Sequence, residues 1–156
     1  MLENEMQDQA KTTLDDFNYW VADMDDALAR FFEMLPADLR SKLDYTPESI
    51  DALEGWILSR YPSIEAIKAA DQSRIVDGMA RYVGETFRKN AGGQWDIDLD
   101  NPKAAFFGIP ILTGFRSEIC PLALVTASTD RRTGKFIRTV LENNLKRPKV
   151  DLGGRR

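Results

Sequence analysis

The 156-residue chain contains no histidine and a single cysteine, Cys120. Without histidine there is no Ser-His-Asp or Cys-His nucleophile pair, no imidazole general base and no imidazole pH switch. Zinc sites built from His and Cys lack their ligands. One cysteine forms no internal disulfide, so the fold needs no oxidising compartment. Cys120 precedes Pro121 in an apolar stretch, which suits a buried structural thiol. Long apolar runs are missing too: Phe106 to Leu112 is broken by Gly108 and Pro110, far short of the ~20 residues of a bilayer span. The start, Met1-Leu2-Glu3-Asn4-Glu5, is acidic and has no basic segment leading into an apolar one. No membrane association is expected, and a cytoplasmic location is. There is no GxxxxGK[ST] or GxGxxG, and Gly92-Gly93 follows a helix where a phosphate loop precedes one. No cofactor is expected.

What is present is an ordinary globular composition, 43% hydrophobic and 29% charged, with a net charge of −4. The charge is polarised. Residues 1–70 carry 15 acidic and 6 basic side chains; residues 71–156 carry 10 and 15. From Arg131 onward there are 9 bases and 2 acids. An acidic face and a basic end of this kind are expected as solvated surfaces that aid solubility; the functional alternative is an electrostatic docking surface for a partner. A nucleic-acid partner is disfavoured by an isoelectric point near 4.9 and by a basic patch without interleaved aromatics.

Periodicity orders the elements. Leu14, Phe17, Val21, Met24, Leu28, Phe31 and Leu35 recur every three or four residues, predicting one long helix over about 3–35 that Pro36 ends. Thr46-Pro47 opens a second helix with Ile50, Leu53, Trp56 or Ile57, and Tyr61 inward. Ser63 caps a short third. A fourth covers about 71–90, with Ile75, Met79, Tyr82, Val83, Thr86 and Phe87 inward; Asn90-Ala91-Gly92-Gly93 closes it. The period then falls to two. Trp95, Ile97 and Leu99 alternate with Asp96, Asp98 and Asp100, predicting a strand with a solvated acidic face. Further strands are expected over about 104–113, broken near Gly108, and 115–119. Helices follow over 121–128 and 134–146, the last capped by Ser128, Thr129 or Asp130. The expected architecture is α+β: N-terminal helices led by a long first one, a small antiparallel meander of about three strands, and C-terminal helices, in one domain over 1–146 with a flexible basic tail over 147–156. The meander is too small to stand alone, so its Trp95 face should rest on the helix at 71–90.

The chemistry-bearing groups are few. Asp96-x-Asp98-x-Asp100 fails the calcium-loop pattern, because the sixth and twelfth positions hold Asn101 and Phe107. Arg131, Arg132, Lys135 and Arg138 form a basic cluster suited to a phosphate or an acidic protein.

The stretch Arg81-Tyr82-Val83-Gly84-Glu85-Thr86-Phe87-Arg88-Lys89-Asn90-Ala91-Gly92-Gly93-Gln94-Trp95 resembles small bacterial proteins of uncharacterised function, in which Tyr-x-Gly-Glu on a helix runs into Gly-Gly-x-Trp and a short sheet. Phe107-Gly108-Ile109-Pro110 and Cys120-Pro121 fit the same pattern, so the resemblance spans about residues 48–145. It implies an α+β domain similar to the immunity proteins of toxin systems, and it assigns no catalytic residue. Taken together, the leading expectation is a non-enzymatic protein-binding module that neutralises a toxin or serves a locus partner. Asp96, Asp98, Asp100, Arg131, Arg132, Lys135 and Arg138 are its candidate contact residues. One alternative is a metal-dependent or carboxylate-based enzyme using Asp96, Asp98, Asp100 and Glu85. Another is a homodimer built on the first helix.

Overall fold

A computed structural model describes residues 12–146, and the expected basic tail at 147–156 lies outside them. Among the described residues the chain forms eight α-helices and a two-stranded antiparallel sheet. The α+β reading holds at this level.

The first apolar stripe makes two helices rather than one. α1 (Leu14–Ala22) and α2 (Met24–Glu33) are separated at Asp23, whose φ and ψ of −82° and 3° leave the helical well. Aspartate is a poor helix-interior residue because its carboxylate competes for nearby donors. Here it accepts a hydrogen bond from Arg30 at 2.6 Å. Thr13 caps α1 in a reciprocal capping box with Asp16. Positions 3–11 of the predicted helix fall outside the described residues. Phe17, Met24, Leu28, Phe31 and Leu35 are buried as the spacing requires, but Leu14 is 58% exposed. A short α3 (Ala37–Arg40) follows Pro36.

α4 (Pro47–Arg60) starts where expected, with the Thr46 hydroxyl accepting the Ser49 N–H and Pro47 at the first position. Ile57 takes the core position and Trp56 is half-buried. Ser63 caps the four-residue α5 (Ile64–Ile67) by accepting the Ala66 N–H. A 3-10 turn over Ala70–Gln72 leads into α6 (Ser73–Ala91).

α6 is the axis of the core, packing against α2, α4, α7 and α8. Met79, Tyr82, Val83 and Phe87 are wholly buried. Each such side chain contributes about 1.5–3 kcal/mol when removed from water. Two glycines let neighbours approach closely. A methyl group at Gly78 would lie 2.3 Å from Phe31, and one at Gly84 would lie 2.2 Å from Trp95. α6 ends at Gly92 and Gly93, with φ of 84° and 96°, a conformation only glycine adopts freely.

β1 (Gln94–Asp96) pairs with β2 (Ile111–Thr113) in the register Gln94↔Thr113, Trp95↔Leu112, Asp96↔Ile111. Trp95 rests on α6 as expected. The predicted three-strand meander is reduced to these six residues and one bridge, Leu112↔Ile119. The reason is local side-chain competition. Asp98 Oδ1 accepts the N–H groups of Asp100 (2.9 Å) and Asn101 (3.1 Å), folding the backbone into a turn. Successive turns then carry residues 101–109, closed by the Gly108 N–H on the Asp98 carbonyl at 2.9 Å. Ile97, Asp98 and Leu99 are all half-buried, so the inside-outside alternation stops at Asp96. α7 (Pro121–Arg131) and α8 (Phe136–Lys146) complete the fold.

Candidate functional site

The predicted acidic row does not converge. Asp96 Oδ1 accepts the Ile97 N–H at 2.8 Å, Asp98 holds its turn, and Asp100 is exposed. Glu85 is occupied elsewhere: it pairs with Arg88 at 2.9 Å and accepts the Trp95 indole N–H at 2.8 Å. Lys89 lies over the Tyr45 ring, 5.1 Å from its centre. Among the described residues no three His, Cys, Asp or Glu side chains gather at metal-binding range.

The basic cluster is largely bound within the molecule. Arg132 adopts the left-handed conformation (φ 55°) at the end of α7. Its guanidinium donates to the carbonyls of Leu58 (3.1 Å) and Tyr61 (2.9 Å), capping the C-terminus of α4. Arg138 bridges three acids: Asp51 at 2.8 Å, Glu142 at 3.1 Å and Glu48 at 3.2 Å. Arg131 lies over the Phe136 ring at 5.5 Å, and Lys135 is exposed. Ser128 and Thr129 do not cap α8. Both are buried in α7 and donate to the carbonyls three residues back.

Two surfaces remain with groups to spare. One is the outward face of α1 and the start of α2. Leu14 and Tyr19 on α1 are 58% and 71% exposed, and Asp15 on α1 and Asp25 and Asp26 on α2 are exposed as well. Those three acids have no ion pair among the described residues.

The other is a cleft of about 660 Å³ where the turns of 97–110 face α6 and α7. Its lining is mostly apolar: Trp20, Ile67, Val76, Trp95, Phe106, Ile109, Pro110 and Leu122. The space exists because small residues face it, notably Ala80 on α6 and Ala123 on α7. The Trp20 and Trp95 rings meet edge to face, 4.8 Å between centres. Both indole N–H groups are satisfied, Trp20 by Asp77 Oδ1 (2.9 Å) and Trp95 by Glu85. The second Asp77 oxygen accepts from Arg81 Nε at 2.7 Å, and the buried Arg81 guanidinium sits 4.2 Å from the centre of the Trp20 ring. Cys120 also lines the cleft; burial pushes its thiol above the usual range, so it presents a neutral sulfur.

Sequence reasoning missed this cleft because its walls come from segments up to a hundred residues apart. The available signal was alanine where a helix facing a core normally carries bulk, at Ala80 and Ala123. Comparison with protein-family models, with curated proteins and with solved structures finds no match.

Proposed function

We propose that the protein is a non-enzymatic binding module that docks on a basic surface of another protein and masks it, in the manner of an immunity or accessory protein acting in the cytoplasm. The observation that carries this reading is the exposure on α1 and α2 of two large apolar side chains, Tyr19 and Leu14, together with the acids Asp15, Asp25 and Asp26. An exposed tyrosine supplies a large contact at low entropic cost, and interface energy concentrates on such residues. Exposed carboxylates on the same two helices, in excess over the single cation Arg30 that pairs with Asp23, steer a cationic partner and set the orientation of encounter. The Asp96–Asp100 segment extends the acidic character, with Asp96 and Asp100 exposed. The carboxylate-enzyme reading draws no support from the positions of Asp96, Asp98 and Glu85, which serve turns, an ion pair and an indole, or from Asp100, which is exposed.

The test uses the full chain and a Tyr19→Ala, Asp25→Lys, Asp26→Lys variant, all at exposed positions that leave the core intact. The wild type should form a complex with a basic protein of its native cell, weakened as salt rises above physiological strength. The variant should lose that complex while remaining folded, its melting temperature lowered by a few degrees through the loss of two acids from the first turn of α2. An unchanged set of bound proteins in the variant overturns the reading.

A further inference from the structure

We propose that the cleft between α6, α7 and the 97–110 turns binds a small amphiphile with an apolar body and a single carboxylate. Its volume of about 660 Å³ lies within the range of small-molecule sites, roughly 300–1,000 Å³. Left open, it keeps the apolar sides of Phe106, Ile109 and Leu122 beside water, which a hydrocarbon body would displace.

The charge of the ligand follows from what the lining has already spent. Two ionised side chains border the cleft, Asp77 and Lys68. Asp77 is neutralised by Arg81, and its two oxygens accept from Arg81 and Trp20. Both tryptophan N–H groups are likewise committed, so the indoles offer only apolar ring surface. Lys68 is exposed at the C-terminal end of α5 and has no ion pair among the described residues. Apart from the hydroxyls of Ser73 and Thr126, the latter donating to the Ala123 carbonyl, the cleft presents an apolar interior and one uncompensated positive charge. A carboxylate answers that charge; an ammonium meets it as a like charge, and an alcohol leaves it unanswered. This inference does not rest on the docking face of α1 and α2, and different variants probe the two surfaces.

The experiment titrates the full chain with decanoate, decanol and decylamine below their micellar concentrations. It follows tryptophan emission, to which Trp20 and Trp95 report from the cleft. Decanoate should bind saturably and more tightly than either neighbour. Along an alkanoate series each added CH₂ should tighten binding about fourfold. Lys68→Gln, at an exposed position, should weaken decanoate about fivefold and leave decanol unchanged. Ala123→Phe should fill the cleft and abolish binding of both. The Lys68 comparison stands independently should that variant fail to fold. Equal binding of decanol and decanoate would indicate an uncharged occupant such as a neutral lipid or an apolar polypeptide segment, and overturns the proposal. So does the absence of saturable binding, or binding that survives in a folded Ala123→Phe variant.

Discussion

The wholly buried carboxylate of Glu54, on α4, accepts the backbone N–H of Ile137 at 2.9 Å and that of Phe136 at 3.1 Å. One helix thus caps the start of another, and a negative charge sits at the positive end of α8. Replacing Glu54 by alanine strands two N–H donors in the core and opens a void. A loss of about 3 kcal/mol is expected in urea denaturation. Glu54→Gln keeps one acceptor and should cost about half as much. Equal stability of all three chains would remove the capping role.

Arg132 performs the reverse service for α4, covering its last carbonyls from the end of α7. It does so from a left-handed backbone that a non-glycine residue adopts at some cost. Arg132→Ala should destabilise by about 2 kcal/mol, because the hydrogen bonds go and the strain stays. Arg132→Gly should recover about 1 kcal/mol of that loss. The ordering of the two variants in thermal melts is the measurement.

Two helical glycines should respond in opposite directions to alanine. Gly84→Ala drives a methyl into the Trp95 ring, 2.2 Å away, and should cost about 2 kcal/mol while disturbing the indole emission. Gly55 faces open space on α4, so Gly55→Ala should stabilise by about 0.5–1 kcal/mol. Similar effects at both positions would contradict the packing described here.

Alkaline pH should weaken the fold through Tyr45 and Tyr82, whose rings stack 4.8 Å apart. Burial pushes the Tyr45 phenol up to about 12 and raises that of Tyr82. The folded state then holds its phenolic protons after the unfolded chain has begun to release them near pH 10. The stability they support is complete below that pH and falls as pH climbs from about 10 toward 12. Tyr45→Phe should flatten the decline in melting temperature across that window; an unaltered slope would assign it to other groups.

Most helices were legible because their signals are local. Thr46, Ser63, Pro47 and Pro121 act within one turn of where they stand, and the stripe on α6 needs no knowledge of its neighbours. The sheet was overread because Asp96, Asp98 and Asp100 satisfy a period of two whether they decorate a strand or build a turn. The hydrogen bonds of Asp98 to the following amides decided for the turn. The basic cluster reads as a surface patch until its partners are known. Leu58, Tyr61 and Asp51 lie more than seventy residues before the arginines they engage. The cleft escaped for the same reason, because it depends on where distant side chains come to rest; the break at Asp23 is local, and an apolar stripe that runs unbroken past that residue conceals it.

The turns of 97–110 are held mainly by short-range bonds among their own residues and by Gly108 on Asp98. Phe106, Ile109 and Pro110 thus decorate a scaffold that owes little to the helical frame behind it. Substitutions there can remodel one side of the hollow while leaving the folding equilibrium almost untouched, so its selectivity is free to drift independently of thermal resilience.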